Sequence, residues 1–238
     1  MLVYFDVVDK AVIVTGASSG IGAATARLLH LAGARPILAA RRADRLRDLS
    51  AELGGALAVE TDVTDRAQIK TLVDATLDRH GRIDALVNNA GGSLHRSLDA
   101  VDPDEFLRVL DLNVVSVLTM TQAVLPAMRQ QGGGRIINVS SGTVRRDPPG
   151  IGAYAATKAA VNTLTAVSRK ELAADGIVVS LVIPSLTATE FNGGRNADRS
   201  RLRPGTVSHS AEYVARAIVR ALRTGEAKVE IPRGPERT

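Results

Sequence analysis

The 238-residue chain contains no cysteine and no tryptophan, and its three tyrosines and three phenylalanines make it only 3% aromatic. Without thiols it can form neither a disulfide framework nor a thiolate metal site, which suits a reducing compartment. Its histidines, His30, His80, His95 and His209, are scattered without metal-ligand spacing, so no metal site is expected. His30, His80 and His209 read as solvated, and His95 as either a loop residue on a rim or a group facing a ligand. The formal charge is +5 and the pI about 10.0, which raises nucleic acid as a partner. The scarcity of rings for stacking bases and the lack of a nucleic-acid motif argue against it. A small anionic ligand suits the same charge balance. No uninterrupted apolar run approaches the roughly 18 residues of a membrane span, and no basic segment with an apolar core opens the chain. A cytoplasmic protein with no membrane or nucleic-acid partner is expected.

What the chain does have is 45% hydrophobic residues, enough for a sizeable core. Short apolar, β-branched runs recur at 11–16, 35–40, 56–60, 84–89, 135–141, 177–184 and, more weakly, 228–232. They are apolar throughout rather than alternating, as in strands covered on both faces. Helical patterns fill the gaps at 20–33, 42–53, 65–80, 103–130, 153–175 and 211–224, with Asp65 placed to cap the third. This alternation predicts right-handed βαβ units, an α/β doubly wound parallel sheet of about seven strands and a single domain over 1–238. The least patterned stretch, 185–210, is a candidate substrate lid. Its arginines 195, 199, 201 and 203 could attract an acidic substrate or be solvated.

The stretch TGASSGIG follows the first strand, with glycines at 16, 20 and 22 and serines at 18 and 19. Gly16 can turn the chain sharply, Gly20 leaves room for a ligand, and Gly22 lets the helix pack closely on the sheet. The N–H groups at the start of that helix would favour a phosphate. The spacing is not the common G-x-G-x-x-G fingerprint, and a purely structural turn is the alternative. The second strand ends at Arg41 and Arg42, where many dinucleotide sites carry a ribose-binding acid. Guanidinium groups there would grip a 2′-phosphate, so NADP(H) is expected ahead of NAD(H). A solvated helix start is the alternative, and Arg45 and Arg47 read that way.

Tyr154 and Lys158 stand four apart and share a helix face. A nearby ammonium would lower the phenol's pKa and fit it for proton transfer to a carbonyl oxygen. Ser140 and Ser141 end the fifth strand, and Asn89, Ala90 and Gly91 end the fourth, all on the edge where open α/β sheets bind ligands. Asn113 is an isolated polar residue in an apolar helical pattern, which a satisfied buried amide in a kinked helix would also explain. Arg145, Arg146 and the turn at 147–150 either shape a substrate entrance or form a surface turn.

Taken together, TGASSGIG, Asp62–Val63, NNAG, DLNV, INVSS and YAATK resemble the short-chain dehydrogenase/reductase family in identity, order and spacing. The resemblance implies hydride transfer between NADP(H) and a small-molecule carbonyl or secondary alcohol. It makes Tyr154 the general acid or base and Lys158 the group that tunes it and binds the nicotinamide ribose. The family's serine stands thirteen residues before the tyrosine, which selects Ser141 over Ser140. Asn113 would hold a water relaying protons to Lys158. Asp62 and Val63 would meet the adenine, Asn89 to Gly91 would line the cofactor, and Ile21 would donate its N–H to the pyrophosphate. Pro184 is in place, the Thr187 backbone would hold the carboxamide, and Thr189 would hold a phosphate. Ser185 departs from the pattern, standing where the family carries glycine, which bears on how the lid begins. A homodimer or homotetramer paired through 103–130 and 153–175 is also implied. A silent cofactor-binding scaffold on the same fold is the alternative function.

Overall fold

The computed structural model describes residues 4–145, 148–191, 193–194, 207–232 and 234. Half of the candidate lid, with arginines 195, 199, 201 and 203, lies outside the described residues, as does Arg146. Seven strands form one sheet: β1 (Ala11–Thr15), β2 (Arg35–Ala40), β3 (Ala58–Glu60), β4 (Ala85–Asn88), β5 (Gly134–Val139), β6 (Ile177–Ile183) and β7 (Lys228–Glu230). Among the described residues seven α-helices cover it: α1 (Gly20–Leu31), α2 (Ala43–Glu52), α3 (Arg66–His80), α4 (Pro103–Leu110), α5 (Ser116–Gln130), α6 (Gly152–Glu171) and α7 (Ala211–Thr224). The strand order is β3-β2-β1-β4-β5-β6-β7 and every pairing is parallel.

The uninterrupted apolar runs are explained by what lies on either side of the sheet. Val12, Val14, Leu38, Val87 and Val182 point into one layer with Leu29 of α1, Leu46 of α2 and Ile218 of α7. Their neighbours Ile13, Ile37, Leu86, Ile136 and Val179 point the other way, onto Leu72 of α3 and Met120 and Val124 of α5. Each fully buried side chain of this size contributes about 1.5–3 kcal/mol, so neither face tolerates a polar alternation. Helix starts follow local chemistry. The Asp65 carboxylate caps α3 by accepting from the Ala67 and Gln68 N–H groups, as its position predicts. Asp102 caps α4 ahead of Pro103, and Ser210 caps α7.

The helix predicted over 103–130 is continuous but not uniform. Between α4 and α5 the ladder widens into a π-helical turn over Asp111–Val115, with Asn113 fully buried at its centre. Over Pro103–Gln130 the run is 28 residues long, with mean hydropathy 1.4 in its most apolar window, enough by length and composition to cross a bilayer. The expectation that no stretch qualifies is corrected to that extent. Here its inner side, including Val117, Met120, Val124 and Met128, packs against the protein interior.

At the amino edge, Asp84 knits β1 to the start of β4. Its buried carboxylate accepts the Ala11 N–H at 2.9 Å and both arms of Arg82 at 2.7 and 2.5 Å, with Lys10 at 3.8 Å. Asp84→Ala would strand the Ala11 N–H and is expected to cost about 2 kcal/mol in a denaturant titration. Because the cleft lies at the opposite edge, ligand affinity should stay unchanged. A loss under about 0.5 kcal/mol would contradict this tie.

Candidate active site

The carboxyl ends of the strands open into a cleft of about 750 Å³ between the loop after β1, the ends of β4 and β5, and the segment after β6. The chain turns out of β1 at Gly16, whose φ of +67° favours glycine. A Cβ on Gly22 would lie 2.3 Å from the Gly16 carbonyl oxygen and 2.7 Å from the Asn89 amide nitrogen. The close approach that Gly22 permits is therefore to its own loop and to Asn89, more than to the sheet face expected. Thr15 secures this corner: its hydroxyl accepts the Asn89 and Ala90 N–H groups, each at 3.0 Å, and donates to the Val87 carbonyl. The Asn89 side chain donates to the Thr15 carbonyl at 2.9 Å. Ser19 stands at the N-cap of α1 but its side chain makes no cap bond, so the first N–H groups of that helix, Ile21 among them, keep no side-chain acceptor there. A cradle with no space for a Cβ, beside an uncapped helix start, fits the pyrophosphate of a dinucleotide.

The arginines fall beside this loop. Arg42 donates to Ser18 Oγ at 2.9 and 3.1 Å, to Ser19 Oγ at 2.6 Å and to Glu190 at 3.0 Å. Arg45, expected to be solvated, also reaches Glu190, at 2.7 and 2.8 Å. Arg41 is 70% exposed and 3.9 Å from Asp62. One Asp62 oxygen is spent locally on the Thr64 N–H and hydroxyl, and Val63 is buried beside it.

Tyr154, Lys158 and Ser141 converge at the other end. The chain positions α6 through a buried polar ladder: Asn88 donates to Asn138 and Asn138 to Thr165, each at 2.9 Å. Tyr154 and Lys158 are each 6% exposed. The Lys158 ammonium donates to the Val139 carbonyl at 3.1 Å, and the Tyr154 hydroxyl is hydrogen-bonded to Ser141. Ser141 also accepts from the Thr143 hydroxyl at 3.0 Å, whereas Ser140 turns away and donates to Asn162 at 2.5 Å. Asn113 accepts the Gly92 N–H at 2.8 Å and donates to the Gly92 carbonyl and to Thr157 at 2.9 and 3.0 Å. Its amide is satisfied by protein, and Gly91 lies between it and the Lys158 Nζ.

The segment after β6 crosses the cleft. The Pro184 carbonyl accepts the Gly142 N–H, and Thr187 donates to the Ser185 carbonyl. Thr189 lies over Gly20, 3.1 Å from where a Cβ would stand, and the Phe191 ring meets the Tyr154 ring with centroids 6.1 Å apart. His209 is not solvated: it is 1% exposed, hydrogen-bonded through Nδ1 to Ser185 and through Nε2 to the Gly234 carbonyl, and stacked on Tyr213. That carbonyl takes the Nε2 proton, which leaves Nδ1 to accept from Ser185. The unexpected serine thus ties together the two ends of the unpatterned stretch. His95 lines the cleft from an exposed position, and Arg145 lines it paired with Glu230. Thr15 opens TGASSGIG but has no role of its own in the sequence reading, and Glu190, Phe191 and Thr143 carry no motif. Only the sequence neighbourhood of Thr187 and Thr189 could have drawn attention to Glu190 and Phe191.

Burial governs the electrostatics. It pushes the Tyr154 phenol up to about 12, against a smaller lowering by the Ser141 hydrogen bond. It pulls the Lys158 ammonium down to about 8. The expected lowering of the tyrosine by the lysine is therefore not what this state of the protein gives. The phenol is held protonated, and the lysine spends its hydrogen bond on Val139 rather than on the tyrosine.

A family model described as short chain dehydrogenase matches residues 10–200. An uncharacterized oxidoreductase of Staphylococcus aureus is 35% identical over 208 residues, covering 86% of this chain and 90% of its own. Among solved structures, the 3-ketoacyl-(acyl-carrier-protein) reductase of Brucella melitensis complexed with NADH superposes with a TM-score of 0.86 at 27% identity, covering 94% of this chain and 97% of its own. The gluconate 5-dehydrogenase of Burkholderia cenocepacia, in complex with NADP and tartrate, gives 0.84 at 29% identity and covers 94% of both chains.

The unfolded chain holds the Lys158 proton up to about 10.4, whereas the folded chain releases it near 8. Stability should therefore rise with pH through that window. Tyr154 acts oppositely: its contribution is full below about 10 and is lost as pH climbs toward 12. Lys158→Met is expected to stabilise the ligand-free protein at pH 7 by about 2 kcal/mol, with the gain shrinking toward pH 10. Denaturation midpoints across pH test this, and a pH-independent difference would refute it.

Proposed function

The chain belongs to the short chain dehydrogenase family, and from that membership we propose an NADP(H)-dependent oxidoreductase that interconverts a small-molecule carbonyl and a secondary alcohol. The observation that carries the proposal is the meeting of Ser141, Tyr154 and Lys158 in a cleft that also holds the glycine-rich loop and Arg42. Gly16 to Gly22 would hold the pyrophosphate, Arg41 and Arg42 the 2′-phosphate, and Asp62 and Val63 the adenine. Asn89 to Gly91, Lys158, Pro184 and Thr187 would hold the nicotinamide half, and Thr189 a phosphate. When bound, the nicotinamide supplies or accepts the hydride.

The residues supply the rest. Ser141 donates a hydrogen bond to the substrate oxygen and holds it next to the Tyr154 hydroxyl. Tyr154, protonated at neutral pH, gives its proton to that oxygen during reduction and takes it back during oxidation. A charged Lys158 stabilises the phenolate left behind, and its depressed pKa lets it exchange that proton near neutral pH. Phe191 and the body of α6 exclude water around the phenol. The exposed apolar residues Leu107 of α4, Leu118 of α5 and Val167 of α6 support a homodimer or homotetramer through these helices. The absence of cysteine accords with a cytoplasmic location.

Tyr154→Phe should lower turnover of any accepted carbonyl by about 10²–10⁴-fold and leave NADPH affinity within about twofold of wild type. Steady-state rates on a carbonyl panel, with NADPH binding measured separately, test this. Wild-type turnover in the variant would reject the tyrosine's role.

A further inference from the structure

Arg42, expected with Arg41 to receive a 2′-phosphate, is already engaged by a carboxylate of the same chain. Glu190 accepts from Arg42 at 3.0 Å and from Arg45 at 2.8 and 2.7 Å. The remaining nitrogens of Arg42 face Ser18 and Ser19 of the glycine-rich loop, so its other directions are fixed by that loop. Carboxylate and phosphate present similar acceptor pairs to a guanidinium fork. Glu190 is not a stray surface acid, because its neighbours anchor it across the cleft. Thr189 rests over Gly20, and Phe191 packs against Tyr154. Hydrogen bonds from Arg45 and Arg42 hold its carboxyl below the usual carboxylate range, so it stays charged at neutral pH.

We propose that Glu190 is a specificity-determining residue that competes with the cofactor's 2′-phosphate for Arg42 and Arg45. The proposal rests on the assignment of Arg42 to the 2′-phosphate and adds Arg45, which shares the Glu190 carboxylate with it. A cofactor with a free 2′-hydroxyl leaves the Glu190 pairs in place. One with a 2′-phosphate brings a second anion to the same two guanidinium groups, and either the carboxylate moves aside or like charges face each other. Glu190 therefore narrows the preference for NADP(H) over NAD(H) that the arginines establish. An exposed ion pair is worth little to folding, so the effect is on ligand choice and not on the stability of the chain.

Glu190→Gln keeps the shape and removes the charge. The Glu190 side chain is 56% exposed. Direct binding titrations, reading the fluorescence of bound NADPH and NADH, compare wild type, Glu190→Gln and Arg42→Ala. The expected result is NADPH binding tightened about three- to tenfold in Glu190→Gln, with NADH changed by less than about twofold. No tightening, or an equal gain for NADH, would overturn the assignment. Arg42→Ala separates the two possible failures. If it weakens NADPH binding while Glu190→Gln does nothing, only the role of Glu190 falls. If it leaves NADPH affinity at the wild-type value, the arginine seat falls and Glu190 with it.

Discussion

The cleft exists because β1 and β4 are hydrogen-bonded neighbours whose onward connections leave to opposite sides of the sheet. From β1 the chain proceeds outward to β2 and β3, and from β4 outward to β5, β6 and β7. Among the described residues the space above their carboxyl ends is the open cleft, which is where open parallel sheets take ligands. Thr15 holds that parting in shape. With one hydroxyl it collects the N–H groups of Asn89 and Ala90, which would otherwise lack partners at the end of β4, and fastens them to the end of β1. The glycine-rich loop then turns so tightly against the same corner that Gly22 has no room for a Cβ. The residues of the cradle are thus placed by backbone requirements before any ligand is considered.

At the far end of the cleft the governing fact is burial. Tyr154, Lys158 and Asn113 are polar groups inside a protein that could have placed apolar side chains there at lower cost. Asn113 is fully satisfied through the π-helical turn, which opens the ladder enough for its amide to reach both Gly92 and Thr157. Lys158 has one carbonyl and a depressed pKa, so its ammonium is under-compensated. A group held at such a cost is better explained by chemistry than by stability. The tyrosine's raised pKa belongs to the same balance, and the Phe191 ring contributes to the burial that raises it.

Much of this was legible in the sequence, for identifiable reasons. The seven apolar runs lack alternation because both faces of each central strand are covered, and that signal is local. TGASSGIG was legible because a positive φ and a missing Cβ leave their mark in residue type. The pairing of Tyr154 with Ser141 was reached only through family resemblance, since spacing alone does not separate Ser141 from Ser140. The structure separates them by direction, one toward the tyrosine and one toward Asn162. What was not legible depends on long-range contact. Glu190 meets Arg42 and Arg45 across a separation of about 150 residues in the chain, and no local pattern announces it. His209 read as solvated because its partners Ser185 and Gly234 are contributed by distant segments. The direction of the tyrosine's pKa was misjudged because the charge of Lys158 was weighed and burial was not.

The central claim, that a dinucleotide lies along the carboxyl edge at the β1–β4 parting, is tested most directly by hydrogen–deuterium exchange with and without NADPH. The account expects slowed exchange in the peptides containing Gly16–Gly22, Arg41–Arg42, Asp62–Val63, Asn89–Gly91 and Ser140–Ser141, and no change around Lys10, Arg82 and Gly132–Gly134 at the opposite edge. Protection confined to that opposite edge, or no protection at saturating NADPH, would contradict it.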